Sequence, residues 1–180
     1  MTSDGCPIFG IAFVDTATGA FQISEFEDDL EFTKFETFVA QTRPKELILE
    51  KNNLSLKATR ILKTNTSLAT IWNKLNPMKE FWEARTTVRE IISAEYFSED
   101  EPENMDYWPK VLVNNQDKEL ALSALGGLIF YLQHLKVDKE LVSMGNVEWY
   151  DPIQKSTSLV LDGQTLQNLE VCNLPPFVVL

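Results

Sequence analysis

Two acidic residues stand where short apolar runs stop: Asp15 after Ile11-Ala12-Phe13-Val14, and Glu50 after Leu47-Ile48-Leu49. Carboxylates at the ends of neighbouring strands can hold two divalent metal ions, which clamp the attacking and leaving oxygens of a phosphodiester hydrolysis. A metal-dependent nuclease using Asp15 and Glu50 is therefore one reading of the chain. Against it, Asp15 opens the turn Thr-Ala-Thr-Gly, where an aspartate ordinarily bonds its own backbone. No third or fourth acid ends a comparable run. The other reactive side chains are few: one histidine, His134, and two cysteines, Cys6 and Cys172. One histidine cannot supply a catalytic triad or a histidine-rich metal site. Residues 98–106 (SEDEPENMD) hold five acids. Their flexible, Pro-containing sequence reads as a solvated loop rather than a metal cage. Phosphate loops, dinucleotide fingerprints, nucleophile elbows and C-x-x-C pairs are absent. Gly126-Gly127 lies within a helical pattern, where no phosphate site forms, and close packing is the reason expected for it. No catalytic, cofactor-binding or metal-ligating residue is assigned, and the chain is expected not to be an enzyme.

The elements that would position these residues begin with residues 10–27. An apolar run, a four-residue turn containing Gly19 and an alternating return (Phe21, Ile23 and Phe26 against Gln22, Ser24 and Glu25) predict an antiparallel hairpin. The first arm is apolar on both faces, as in the middle of a covered sheet, and the second suits a place nearer an edge. A chain of 180 residues with 44% hydrophobic side chains can bury one sizeable core. Sixteen basic against 27 acidic residues give a net charge of −11, which repels phosphate and argues against DNA binding by a basic face. Two cysteines suit a reducing compartment. No apolar run is long enough to span a bilayer, and the first residues lack the pattern of a signal peptide.

Further along, Asp28-Asp29 and Glu31 predict the start of a helix with Phe32, Phe35 and Val39 on one stripe, ending before Pro44. Residues 47–50 read as a strand, 54–63 as a helix and 68–72 as a strand, an α/β unit. Residues 81–97 carry a helical pattern, and the 117–136 segment is apolar on nearly all sides, so it is expected to be buried. His134 falls at its end as a surface or capping side chain. Residues 147–150 and 158–161 read as strands. The polar stretch 151–157 is expected to be a linker, and the domain boundary is placed there. The outer edge of the hairpin's second arm and the 108–113 helix, with its tryptophan, are the candidate partner surfaces.

Three segments in order, GIAFVDTATGAFQISEFEDD (10–29), ELALSALGGLIFYLQHLK (119–136) and LVLDGQTLQNLEV (159–171), resemble the connector region of the MutS mismatch-repair family. The similarity spans about residues 8–172 and includes LILEKNN and REIISAEYFSED. It is nearest the eukaryotic branch whose subunits pair with MutS homologue 2. The resemblance implies an α/β, ribonuclease-H-like mixed sheet with flanking helices over 8–150. It places linker 151–157 next, then the start of the core or lever domain at 158–172 and a divergent tail at 173–180. It implies a connector that transmits conformational state between mismatch-binding and lever/ATPase domains, with a generic protein-interaction module as a further alternative. MutS homologue 2 and MutL-type proteins would be the partners. Mismatched DNA, ATP and Mg would belong to the full-length protein alone. The location would be the nucleus, with no membrane association. The family's wedge motif, Phe-x-Glu, lies in a preceding domain. Phe81-Trp82-Glu83 matches it by accident on what reads as a connector helix.

Overall fold

In the computed structural model, residues 5–152 and 177–179 are described. The hairpin forms as expected. β1 (Ile8–Asp15) and β2 (Ala20–Glu27) pair antiparallel from Ile8 opposite Glu27 to Asp15 opposite Ala20. Asp15 shapes the turn: its carboxylate accepts from the Ala17 amide, and its carbonyl accepts from Gly19.

The chain then alternates. α1 (Thr33–Thr42), β3 (Glu46–Glu50), α2 (Leu56–Asn65) and β4 (Ile71–Leu75) follow the hairpin, with β3 and β4 parallel. α3 (Ala84–Ser93), α4 (Lys110–Asn114), α5 (Glu119–Leu135) and α6 (Asp138–Val142) precede β5 (Val147–Trp149) and β6 (Phe177–Val179). The strands form one mixed sheet in the order β4-β3-β6-β1-β2-β5.

Alternation along β1 sends its side chains into two cores. Phe9, Ile11 and Phe13 join Leu47, Leu49 and the α1/α2 residues Phe35, Phe38, Val39 and Leu62. Phe9 stacks on Phe35 with ring centroids 4.3 Å apart. On the opposite face, Ala12 and Val14 join Ile48 and the apolar residues of α3 and α5. Each fully buried large side chain contributes roughly 1.5–3 kcal/mol relative to exposure, so these layers hold the fold. The mixed sheet with flanking helices is the α/β class expected.

Several boundaries differ from the sequence expectation. The strand expected at 68–72 is found at Ile71–Leu75, because Thr70 bonds back to Ser67 and closes a turn there. α1 begins at Thr33, so Glu31 lies before it and Leu30 is exposed. The buried Asp28 still caps that helix from a distance, accepting from the Lys34 and Phe35 amides. The helix expected over 81–97 is shorter, since the Asn76 carbonyl accepts from Phe81 and holds residues 76–81 in a turn. Within the tail at 173–180, the Phe177–Val179 segment lies in the middle of the sheet, antiparallel to β1 and parallel to β3. The linker 151–157, the 158–161 strand and the start of the core or lever domain at 158–172 lie largely or wholly outside the described residues.

Candidate functional site

The sheet register decides whether Asp15 and Glu50 can act together. Val14 is level with Phe177, and Phe177 is level with Glu46. Asp15 therefore lies one step beyond Glu46, whereas Glu50 lies four steps the other way. Five steps correspond to roughly 17 Å along the strands, with two strand spacings between them. β1 and β3 run in opposite directions, so their C-terminal ends lie toward opposite ends of the sheet. That separation overturns the paired-carboxylate nuclease. Among the described residues, no group of three or more His, Cys, Asp or Glu is arranged to hold a metal ion.

Glu50 has a different setting. It lines a small cavity of about 240 Å³ with Leu54, Lys63, Trp72 and Lys74. Partial burial there pushes its carboxyl pKa above the ordinary value. Near the Asp15 level, Glu46 accepts from the Tyr131 hydroxyl and from Asn73, tying α5 to β3 and β4. Burial, then the Glu46 hydrogen bond, pushes the Tyr131 pKa up to about 12, so this phenol stays protonated as a donor. This cluster was missed in the sequence because its members are spread over three elements. It ties the layers of the domain together.

The other residues singled out take structural places. His134 is exposed in the last turn of α5. The acidic segment is organised by its own side chains: Ser98 accepts from the Glu101 amide, Asn104 donates to Glu101 and accepts from Asp106, and the Trp108 indole donates to the Pro102 carbonyl. It is a folded, acidic surface rather than a bare loop. Trp108 is buried and packs edge-on against Phe97, so the expected interface tryptophan belongs to the core. β5 covers the edge of β2 along Phe21–Ile23, which removes much of the other expected docking edge.

Phe81-Trp82-Glu83 does not lie on a helix. Phe81 and Trp82 are buried before α3, Trp82 packs edge-on against Phe130, and Glu83 occupies the helix N-cap position. A buried aromatic cannot wedge into a base stack, which agrees with an accidental match.

The expected close packing is found at Gly126. Gly126 and Gly127 are both buried in α5. A Cβ on Gly126 would lie 2.1 Å from Thr87 Oγ1 and 3.2 Å from Thr87 Cβ, so its bare backbone permits the close approach of α3. Gly10 does the same for β1, where a Cβ would fall 2.3 Å from the Leu120 carbonyl oxygen.

A sheet covered on both faces, closely locked helices and scattered polar groups define a packed α/β domain without a convergent catalytic cluster among the described residues. The family model for MutS domain II matches residues 2–146. The chain is 49% identical over 166 residues to the DNA mismatch repair protein MSH6 of Saccharomyces cerevisiae, covering 91% of this chain and 13% of that protein. It is 36% identical over 191 residues to the DNA mismatch repair protein Msh6 of Homo sapiens, covering 91% of this chain and 14% of that protein. A third relative, from Gallus gallus, is 34% identical over 197 residues, covering 94% of this chain and 15% of that protein. This chain belongs to the MutS mismatch-repair family, and its matched part is domain II rather than the ATPase region. It spans about one-seventh of the length of these relatives.

Proposed function

We propose that this chain is the connector of a mismatch-recognition subunit and passes conformational state between a mismatch-binding domain and a lever/ATPase region. The carrying observation is the close contact of α5 and α3 at Gly126 and Thr87 within a domain-II match. Packed interiors yield little, so such a body passes displacement on as a unit. In this reading the connector occupies 8–150, residues 151–157 are a pivot, and 158–172 begin the core or lever domain. The chain itself catalyses nothing and carries no cofactor. ATP, Mg and mismatched DNA are handled by other parts of the full-length protein. MutS homologue 2 is the heterodimer partner, MutL-type proteins dock on the assembled complex, and the location is the nucleus. The similarity to DNA mismatch repair proteins supports the repair role, and the partners and location follow from family resemblance.

The test is Gly126→Leu in an otherwise complete subunit. The added side chain overpacks the α3–α5 contact, typically costing about 1–3 kcal/mol, while leaving the distant sites' own residues intact. Mismatch-stimulated ATP turnover should fall severalfold, with DNA affinity changed less. Normal stimulation in a variant whose altered connector packing has been verified by hydrogen exchange would refute transmission through this domain.

A further inference from the structure

Charge is unevenly spread along the chain. Six of the 16 basic residues, and none of the 27 acidic ones, fall within residues 51–79. That stretch builds α2 and β4, so a basic patch lies on an otherwise strongly acidic protein. Among the described residues, only Lys57 of this stretch forms an ion pair, with Glu31. Lys63 and Lys74 form none, although both line the 240 Å³ cavity that Glu50 also lines.

Register and helical spacing bring these side chains to one side of the sheet. Leu47 is level with Trp72 and Leu49 with Lys74, and Leu47, Leu49 and Trp72 belong to the core shared with α1 and α2. On α2, Leu56, Thr59 and Lys63 follow at i, i+3 and i+7, one stripe along the helix. Thr59 and Lys63 line the cavity, and Leu56 continues the stripe with 81% of its surface exposed. The cavity is thus apolar at Leu49, Leu54 and Trp72 and cationic at Lys63 and Lys74.

Size and charge together choose the ligand. About 240 Å³ is below the roughly 300–1,000 Å³ of pockets that enclose a small molecule, and it suits single side chains of a larger partner. Two unpaired ammonium groups favour carboxylates, and the apolar wall favours one aliphatic or aromatic side chain between them. A nucleic-acid backbone fits less well, because it carries no apolar side chain and would run on from the patch over acidic surface.

We propose that the cavity between α2 and β4 is a docking site for an acidic peptide segment of a partner protein. Its apolar side chain enters against Leu54 and Trp72, while flanking carboxylates meet Lys63 and Lys74. Glu50, in the same cavity, opposes those carboxylates and lowers the affinity. This inference does not depend on the connector role.

The experiment uses the full 180-residue chain and a fluorescein-labelled peptide, Asp-Glu-Phe-Glu-Asp, read by anisotropy at low salt. Binding should be saturable and should weaken as salt is raised. Lys63→Ala and Lys74→Ala should each weaken it about twofold to fivefold, and Lys63→Glu more than about tenfold. Glu50→Gln should tighten it, since a repelling carboxylate is removed. Lys110→Ala, on α4 outside the patch, should leave it unchanged. All three lysines are exposed, so their replacement leaves the core intact. Absence of binding by the parent chain would overturn the proposal, and so would an equal loss in Lys110→Ala, which would indicate diffuse charge. Equal binding of a peptide with serine in place of phenylalanine would remove the apolar anchor and overturn it too. Tighter binding of a single-stranded oligonucleotide, lost in Lys63→Glu, would assign the patch to nucleic acid. A parent-chain dimer dispersed by the peptide would assign it to a second copy, and either result overturns the proposal.

Discussion

At the scale of single residues, Glu50 shows how a carboxylate can have a perturbed environment without catalytic partners. Desolvation disfavours its ionised form, so its folded pKa lies above the unfolded value of about 4.5. The folded state then binds the proton more tightly, and this group's contribution to stability falls as pH rises through that range. Glu50→Gln should therefore stabilise the chain slightly at pH 7 and have no effect below about pH 3.5, where both states are protonated. The gain should be small because the carboxyl is only partly buried. Urea denaturation at the two pH values tests this, and a loss of stability at pH 7 would show that an ionised Glu50 is held by Lys63 or Lys74. Trp108 gives a second residue-scale lesson. Its type suits an interface, yet its indole donates inward to Pro102 and its ring contacts Phe97.

Among the elements, α5 contacts both the hairpin and α3, and its first turn is satisfied from outside the helix. Lys118, at the N-cap position, gives no side-chain hydrogen bond. Glu25 Oε2, projecting from β2, accepts from the Leu120 amide at 2.9 Å and the Ala121 amide at 3.2 Å. A carboxylate here satisfies two free amides and opposes the positive end of the helix dipole. Glu25→Ala should cost about 1–2 kcal/mol, and Glu25→Gln less because it keeps an acceptor oxygen. Chemical denaturation measures the cost. Faster hydrogen exchange confined to the start of α5 would locate it, and unchanged stability in the alanine variant would refute the cap. Gly10 makes the cap reachable, because β1 passes too close to Leu120 to carry a side chain.

Across the whole molecule, the net charge of −11 and the buried Phe81-Trp82 pair bear on DNA. An acidic body displaces few counterions from phosphate, and buried Phe81 and Trp82 are not available to wedge between bases. The isolated chain should bind neither matched nor mismatched duplex at physiological salt. A gel shift at low salt favouring a G·T mismatch over the homoduplex would contradict this. The same body is well suited to being held and moved by neighbours, since both faces of its sheet are closed by helices and its polar ties, such as Tyr131–Glu46–Asn73, join layers rather than line a cleft.

Much of this architecture was legible in local patterns. The hairpin followed from one apolar run, one glycine turn and one alternating return, because side-chain alternation and turn chemistry are short-range properties. The buried α5 followed from apolar residues on nearly all sides, and the glycine pair within it from the cost of glycine in a helix. The 10–29 and 119–136 segments, whose residues build the hairpin and α5, also carried much of the family resemblance. What only the tertiary structure decided were relations between distant segments. The separation of Asp15 and Glu50 depends on a sheet order that no run of residues encodes. The Glu25 cap joins residues nearly a hundred positions apart. The inward turn of Trp108 depends on Phe97 and Pro102 meeting it. The place of Phe177–Val179 was least readable of all, because three apolar residues specify a buried strand only once two other strands have left a gap for it.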